Sequence, residues 1–123
     1  MIEQGTDTTM VNQRAEKVGR LLREVLGEMI AGGKLADPRV APLLNLTRVK
    51  VSRDLKHATV FVSHHGGEPV TGPATNALNH AAGYLQAELA RRVRLRETPK
   101  LKFLIDSSVA DGFRVLQKIR RLS

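Results

Sequence analysis

The segment "ALNHAAGYLQAEL" (residues 77–89) has the periodicity of an amphipathic helix but carries a glycine near its middle. An interior glycine costs about 1 kcal/mol relative to alanine, so Gly83 needs a physical reason. It indicates either a kink or close packing within one helix, or a turn between two helices. In the second case Ala81, Ala82 and Gly83 present backbone N–H groups at the start of the second helix, an arrangement that attracts phosphate.

Upstream of this segment, the hydrophobic pattern predicts one helix and two strands. Apolar residues recur every three or four positions over residues 13–30, and two glycines then end the helix. The runs "LNLTRVKVS" and "HATVFVS" are β-rich and are joined by the polar connector "RDLK", which indicates an antiparallel pair. Val49 and Val51 alternate with Arg48 and Lys50, so we expect one covered face and one face in water.

Downstream, the pattern predicts helices around a third strand. "HHGGEPVTGP" (64–73) indicates a loop by its glycine and proline content, and the interrupted helix extends over about 74–93. "KLKFLID" (100–106) alternates as a strand, and "VADGFRVLQKIRRL" (109–122) has an apolar stripe typical of a helix. The order α-β-β-α-α-β-α predicts an α+β fold, with a three-stranded sheet and helices packed on one face.

Length and composition limit the classes of protein to which the chain can belong. At 123 residues there is room for one domain, which we place at residues 13–123, and the polar, aperiodic residues 1–12 are expected to be disordered. No cysteine is present, which excludes a disulfide scaffold and a thiol nucleophile. No apolar run approaches the roughly 20 residues that span a bilayer, so we expect a soluble, cytoplasmic protein.

The net charge of +8 is concentrated towards the C-terminus. Residues 1–90 contain ten Lys and Arg against nine Asp and Glu, whereas residues 91–123 contain ten against three. A one-sided field of this kind predicts a polyanionic partner, either a nucleic acid or an anionic membrane surface.

Three groups of cations are candidates for contact with such a partner. The densest comprises Arg91, Arg92, Arg94, Arg96, Lys100 and Lys102. A second lies on the polar side of the first helix and comprises Arg14, Lys17, Arg20 and Arg23. The last predicted helix adds Arg114, Lys118, Arg120 and Arg121. For the first helix a solvated face is the simpler interpretation. We expect salt-dependent phosphate contacts with little base reading, because the three phenylalanines fall in apolar patterns typical of a core.

Two groups of polar residues suggest chemistry that the pattern does not favour. His64 and His65 are the one conceivable metal pair, but adjacent histidines point apart in an extended chain and lack a third ligand nearby. Asp106 with Ser107 or Ser108 is better explained as the cap of the last predicted helix than as a catalytic group. We therefore predict no metal site and no catalytic residue.

The segment "DPRV" (37–40) follows the first helix and predicts a turn. Its arginine, Arg39, has two open interpretations at this point. It either pairs with a nearby carboxylate or reaches a nucleic acid.

Four motifs in order and at matching spacing resemble the ribosome-binding factor A family, bacterial assembly factors of the small ribosomal subunit. "DPRV" resembles the family's Asp-Pro-Arg-Leu, and "VSRDLKHATVFVS" (51–63) resembles its hairpin. "AAG" (81–83) matches its Ala-X-Gly, and "RLRETPKLKFLIDSS" (94–108) resembles the segment that leads into its third strand and the following Asp. The resemblance extends from about Gln13 to the C-terminus.

The resemblance implies a type II K-homology-like domain, in which Ala-X-Gly forms a helix-kink-helix where other K-homology folds carry GXXG. It also implies binding to the free 30S subunit and its 16S rRNA during late maturation, in support of 5′-end processing and growth in the cold. It implies no catalysis, no cofactor, no small-molecule substrate and no membrane partner, and we expect a monomer. The expected RNA contacts are the kink at Ala81, Ala82 and Gly83, the densest cation cluster, and the first-helix cations as a secondary contact.

Two other functions are kept as alternatives. A protein-interaction module, with charge that serves only solubility, predicts binding that survives high salt. A small hydrolase using His64, His65 and Asp106 predicts dependence on a metal, and the sequence contains no ordered ligand motif for one.

Overall fold

A computed structural model describes residues 2–33, 37–40 and 44–107. Its elements are α1 (Ile2–Ala31), β1 (Asn45–Val51), β2 (His57–Ser63), α2 (Glu68–His80), α3 (Ala82–Arg92) and β3 (Lys100–Ile105). The predicted last helix at 109–122 lies outside the described residues. Within the described ranges, no helix combines the length and apolar character needed to cross a membrane.

The three strands form one sheet in the order β1-β2-β3. β1 and β2 pair antiparallel, as predicted for a hairpin, and β3 pairs parallel to β2. The hairpin connector turns at Leu55, whose φ is 60°. In the same connector the Ser52 hydroxyl donates to Asp54 at 2.6 Å, and this bond lowers the pKa of the Asp54 carboxyl below its ordinary value.

The helices cover one face of the sheet, which confirms the predicted α+β architecture. Val60 and Val62 of β2 and Phe103 of β3 are fully buried on that face. They pack in one cluster with apolar residues from α1 and α3, namely Leu22, Leu26, Met29, Leu85 and Leu89. Because alternate strand residues point to opposite sides, the other face carries the remaining side chains.

A bulge in β1 changes which residues face the helices. Leu46 pairs with Val62 and Arg48 pairs with Phe61, so Thr47 is an extra residue in β1. Strict alternation back from Val51 would turn Leu46 outward, yet Leu46 is buried. The Thr47 hydroxyl donates to the Asp106 carboxylate at 2.5 Å. This contact joins the bulge to the end of β3.

Two sequence predictions differ from the structure. Residues 1–12 were expected to be disordered, whereas α1 begins at Ile2. Extending a formed helix adds one hydrogen bond per residue fixed, and this needs no hydrophobic periodicity. The predicted loop at 64–73 is also too long, because α2 begins at Glu68. Proline in a first helical turn costs no hydrogen bond, so Pro69 does not mark a loop.

Replacing Gly19 by alanine is expected to lower the free energy of unfolding by about 1–3 kcal/mol, the usual cost of overpacking an interior. A Cβ at Gly19 would lie 2.6 Å from the Val49 carbonyl oxygen, so α1 would have to move away from β1. Urea denaturation measures the effect.

Gly27→Ala is the matched control in the same helix. A Cβ there meets nothing within 4 Å, so this change is expected to raise the free energy of unfolding by up to about 1 kcal/mol. Equal effects of the two substitutions would contradict the packing of α1 on β1.

Candidate nucleic-acid interface

The predicted turn between two helices is present, and it lies at Ala81, the first of the three residues predicted to form it. α2 ends at His80, α3 begins at Ala82, and Ala81 between them has φ −93° and ψ 7°. The described glycines with positive φ are Gly33 and Gly67, so Gly83 needs no left-handed conformation. A Cβ at Gly83 would meet nothing within 4 Å. The turn between the two helices therefore does not require a glycine at position 83.

One backbone N–H group at this junction already donates hydrogen bonds within the protein and is not available to a ligand. The Ala81 N–H donates to the carbonyl oxygens of Ala77 and Leu78 at 3.0 and 3.1 Å. Ala81 and Ala82 are half-buried, whereas Gly83 is exposed, and Tyr84 beside it is 52% exposed. A ligand at the junction would therefore approach the first turn of α3 at Gly83 and Tyr84.

Two side-chain amides fix the junction against the sheet. The Asn79 Nδ2 donates to the Phe103 carbonyl at 2.8 Å, and the Phe103 N–H donates back to the Asn79 Oδ1 at 2.7 Å. The Gln86 Nε2 donates to the Thr98 carbonyl at 3.0 Å, which ties α3 to the segment before β3. Sequence reasoning missed these residues, because partners 12 and 24 positions apart leave no periodic signal.

The densest cation cluster divides into parts with different surroundings. Arg91 and Arg92 both lie beside Glu88, at 3.7 and 3.4 Å, so one carboxylate offsets part of their charge. Arg94 and Arg96 are exposed in the α3–β3 connection and form no ion pair with a carboxylate of the described residues. These two arginines are the stronger candidates for phosphate contact.

The two lysines of the same cluster lie on the face of the sheet that the described helices leave uncovered, here called the open face. Lys100 and Lys102 are exposed, whereas Leu101 and Phe103 point into the core below the helices. The cluster thus spans both sides of the molecule and is not one patch. Arg114, Lys118, Arg120 and Arg121 fall outside the described residues.

The phenylalanines do not all serve the core as predicted. Phe103 is fully buried, but Phe61 is half-buried on the open face. The Arg48 Cζ lies 4.2 Å from the centre of the Phe61 ring, within cation–π distance. Strand alternation carried the signal, because Phe61 stands between Val60 and Val62, which point inward. Phe113 lies outside the described residues.

The cations of α1 are interspersed with acidic residues. Arg14, Lys17, Arg20 and Arg23 are all exposed. The Arg23 Nη1 donates to the Thr47 carbonyl at 3.2 Å, so this side chain also links α1 to β1. Glu16, Glu24 and Glu28 are exposed on the same helix. The mixture of signs makes α1 a weaker site for a polyanion than the α3–β3 connection.

Arg39 pairs locally, which decides between the two interpretations left open above. Its guanidinium donates to both carboxylate oxygens of Asp37, at 3.1 and 2.8 Å, and its backbone N–H donates at 2.9 Å. The side-chain hydrogen bonds from Arg39 are the main reason that the pKa of Asp37 falls to about 2.

His64 and His65 do not form a metal centre with other described residues. Among those residues, no three His, Asp or Glu side chains come together as ligands. The His64 Nδ1 accepts a hydrogen bond from the Gly66 N–H at 2.8 Å. That bond stabilises the turn into α2.

Comparison with known proteins confirms the resemblance that the motifs predicted. A family model described as ribosome-binding factor A matches residues 14–119. A ribosome-binding factor A of Treponema pallidum subsp. pallidum is 40% identical over 109 residues, which are 89% of this chain and 86% of that protein. A counterpart from Anaeromyxobacter dehalogenans strain 2CP-C is 43% identical over 109 residues, 89% of this chain and 78% of that one. The crystal structure of ribosome-binding factor A from Thermus thermophilus superimposes with a TM-score of 0.64 at 36% identity, over 74% of this chain and 93% of that chain.

The Asp37 carboxyl is expected to titrate near pH 2, and Arg39→Ala is expected to return its pKa towards the ordinary value of 3.8. The lowered pKa favours the folded state above the unfolded pKa, and this contribution disappears as the pH falls through about 2. Carboxyl-carbon NMR titration measures both values. An Asp37 pKa near the ordinary value in the unaltered protein would contradict the pairing.

Replacing Gly83 by alanine is expected to preserve the fold and to raise the free energy of unfolding by up to about 1 kcal/mol, because the added methyl group meets no neighbour. Gly67→Ala is the control. Gly67 has a φ of 70°, so alanine there is expected to destabilise the protein. Urea denaturation compares the two, and a large loss of stability in Gly83→Ala would show that the junction does require glycine.

Proposed function

Because the chain belongs to the ribosome-binding factor A family, we propose that it binds the free small (30S) ribosomal subunit through its 16S rRNA. The observation that carries this proposal is the family match over residues 14–119, which runs through the helix junction and all three strands. A match of that extent supports a shared function as well as a shared fold.

The proposed role is that of an assembly factor in late maturation of the subunit. It supports 16S rRNA 5′-end processing and growth in the cold, and it acts by binding without catalysis or a cofactor. The resemblance of the chain to its family suggests these details.

Electrostatic contact with phosphates supplies the proposed mechanism of binding. Arg94, Arg96, Lys100 and Lys102 are exposed and are not paired with a carboxylate of the described residues. Neutralising phosphates with such side chains releases counterions, which makes the affinity fall as salt rises. Arg91 and Arg92 are weaker contributors, because Glu88 shares their charge.

The helix junction supplies the second part of the proposed contact surface. Ala81, Ala82 and Gly83 carry the family's Ala-X-Gly motif, and Gly83 lies on the exposed side of the turn. Backbone at an exposed glycine permits close approach of an RNA strand. The α1 cations form the secondary contact.

The double variant Arg94→Gln/Arg96→Gln is expected to weaken binding to purified 30S subunits about tenfold. It is also expected to reduce the slope of log affinity against log salt by about 1.5, since each phosphate contact contributes roughly 0.7 to 0.9. Arg91→Gln/Arg92→Gln, which removes the same charge, is expected to have a smaller effect, because Glu88 already offsets part of the charge of these two arginines in the unaltered protein. Co-sedimentation through sucrose at several salt concentrations measures both quantities.

The control is Arg53→Gln/Lys56→Gln, which removes two exposed cations from the hairpin connector. All variants are expected to melt within about 2 °C of the unaltered protein, because exposed side chains contribute little to stability. Subunit binding that is insensitive to salt in every protein would support the protein-interaction alternative and would sink the rRNA mechanism.

A further inference from the structure

The open face of the sheet has a composition that core packing does not explain. Within the described strands there is no Asp or Glu, and cations occupy both outer strands. Pairing places Lys50, Thr59 and Lys102 in one row across the sheet. The adjacent row contains Arg48, Phe61 and Leu104 in register.

On this face the central strand β2 carries the aromatic ring of Phe61, and the outer strands β1 and β3 carry the cations. Neighbouring strands lie roughly 4.8 Å apart, so Lys50 and Lys102 stand about 10 Å apart on either side of Thr59. Like charges held in this way repel one another unless an anion lies between them. The face is therefore complementary to a line of negative charge that follows β2.

Phe61 gives this face a second property besides charge. Its ring is half-buried, no helix of the described residues lies above it, and the Arg48 guanidinium lies over it with the Cζ 4.2 Å from the ring centre. Unpaired nucleic-acid bases stack on aromatic rings and on arginine guanidinium planes. The Arg48–Phe61 pair offers both surfaces at one position.

We propose that the open face of the sheet binds a single-stranded segment of RNA, with phosphates beside Lys50 and Lys102 and one unpaired base stacked on the Arg48–Phe61 pair. This inference rests on the proposed function and deepens it, because it names the kind of RNA and a second contact surface. The helix junction lies on the other side of the sheet, where Asn79 binds the backbone of β3. The protein therefore contacts RNA on two opposite sides.

A single strand fits this face better than a duplex or a lipid surface does. Bases within a duplex are stacked on one another and present no free ring face. A lipid surface requires apolar side chains that insert, and on these strands the exposed large apolar residues, Leu104 and Ile105, are each only 39% exposed. On this face the lysines of the outer strands contact phosphates, and the Phe61 ring of the central strand contacts a base. A strand with unpaired bases supplies both groups.

The variant Phe61→Trp provides a direct reporter, because the chain contains no tryptophan. Poly(U) is the probe, since it is an unstructured single strand. Stacking of a base on the introduced indole is expected to quench its emission by half or more. His65→Trp, in an exposed turn, is the matched control, and its emission is expected to change by less than a tenth. Polyglutamate, an anionic polymer without bases, is expected to leave both emissions unchanged.

A pair of charge variants tests the phosphate contacts. Adding Lys50→Gln/Lys102→Gln to Phe61→Trp is expected to weaken poly(U) affinity about tenfold and to lower the salt slope by about 1.4, or roughly 0.7 per contact for a single strand. Adding Arg53→Gln/Lys56→Gln, which removes the same charge from the connector, is expected to change the affinity less than twofold. Phe61→Leu, without the reporter, is expected to weaken binding about fivefold with no change in slope.

Each outcome separates this proposal from the proposed function. Subunit binding by the Phe61→Trp variant without quenching by poly(U) would overturn the sheet site and leave the proposed function standing. Equal quenching by polyglutamate would also overturn it, because charge alone would then explain the signal. Quenching by poly(U) without any binding to 30S subunits would support the sheet site and overturn the proposed function.

Discussion

The reciprocal hydrogen bonds between the Asn79 side chain and the Phe103 backbone hold the helix layer to the edge of the sheet. Among the described residues β3 pairs only with β2, so its outer N–H and C=O groups need other partners. One amide supplies both, at 2.7 and 2.8 Å, much as a neighbouring strand would. The residue that closes the edge stands two positions before Ala81. Edge protection and the placement of the helix junction therefore depend on the same side chain.

This anchoring determines how the charged residues are distributed. Because α2 and α3 are held over one face, Lys100 and Lys102 emerge on the other, and Arg94 and Arg96 are exposed in the connection between α3 and β3. The acidic residues are also distributed unevenly over the described structure. Asp37 and Glu88 offset Arg39, Arg91 and Arg92, whereas the strands carry no acidic residue. The positive surface is defined as much by the absence of acids on the strands as by the number of bases.

Local patterns predicted the elements well and their details less well. Alternation of Val49 and Val51 with Arg48 and Lys50 was enough to give the hairpin and its two faces, because burial imposes a period of two. The glycine signal predicted a turn over Ala81, Ala82 and Gly83, and the break lies at Ala81, the first of these residues. Pro69 was misread as a loop residue, although proline fits a first helical turn. The Asn79 contact could not be predicted, since it depends on a residue 24 positions away.

The bulge at Thr47 accommodates one extra residue in β1 and leaves the pairing with β2 continuous on both sides. Residues after it face inward at odd positions, whereas Leu46 before it faces inward at an even position. A substitution at Thr47 would cost a hydroxyl contact. A deletion there would join Leu46 directly to Arg48, and regular alternation would then keep Leu46 facing the core and paired with Val62. The pairing on both sides of Thr47 is therefore that of a regular strand one residue shorter, with the extra residue accommodated at one point.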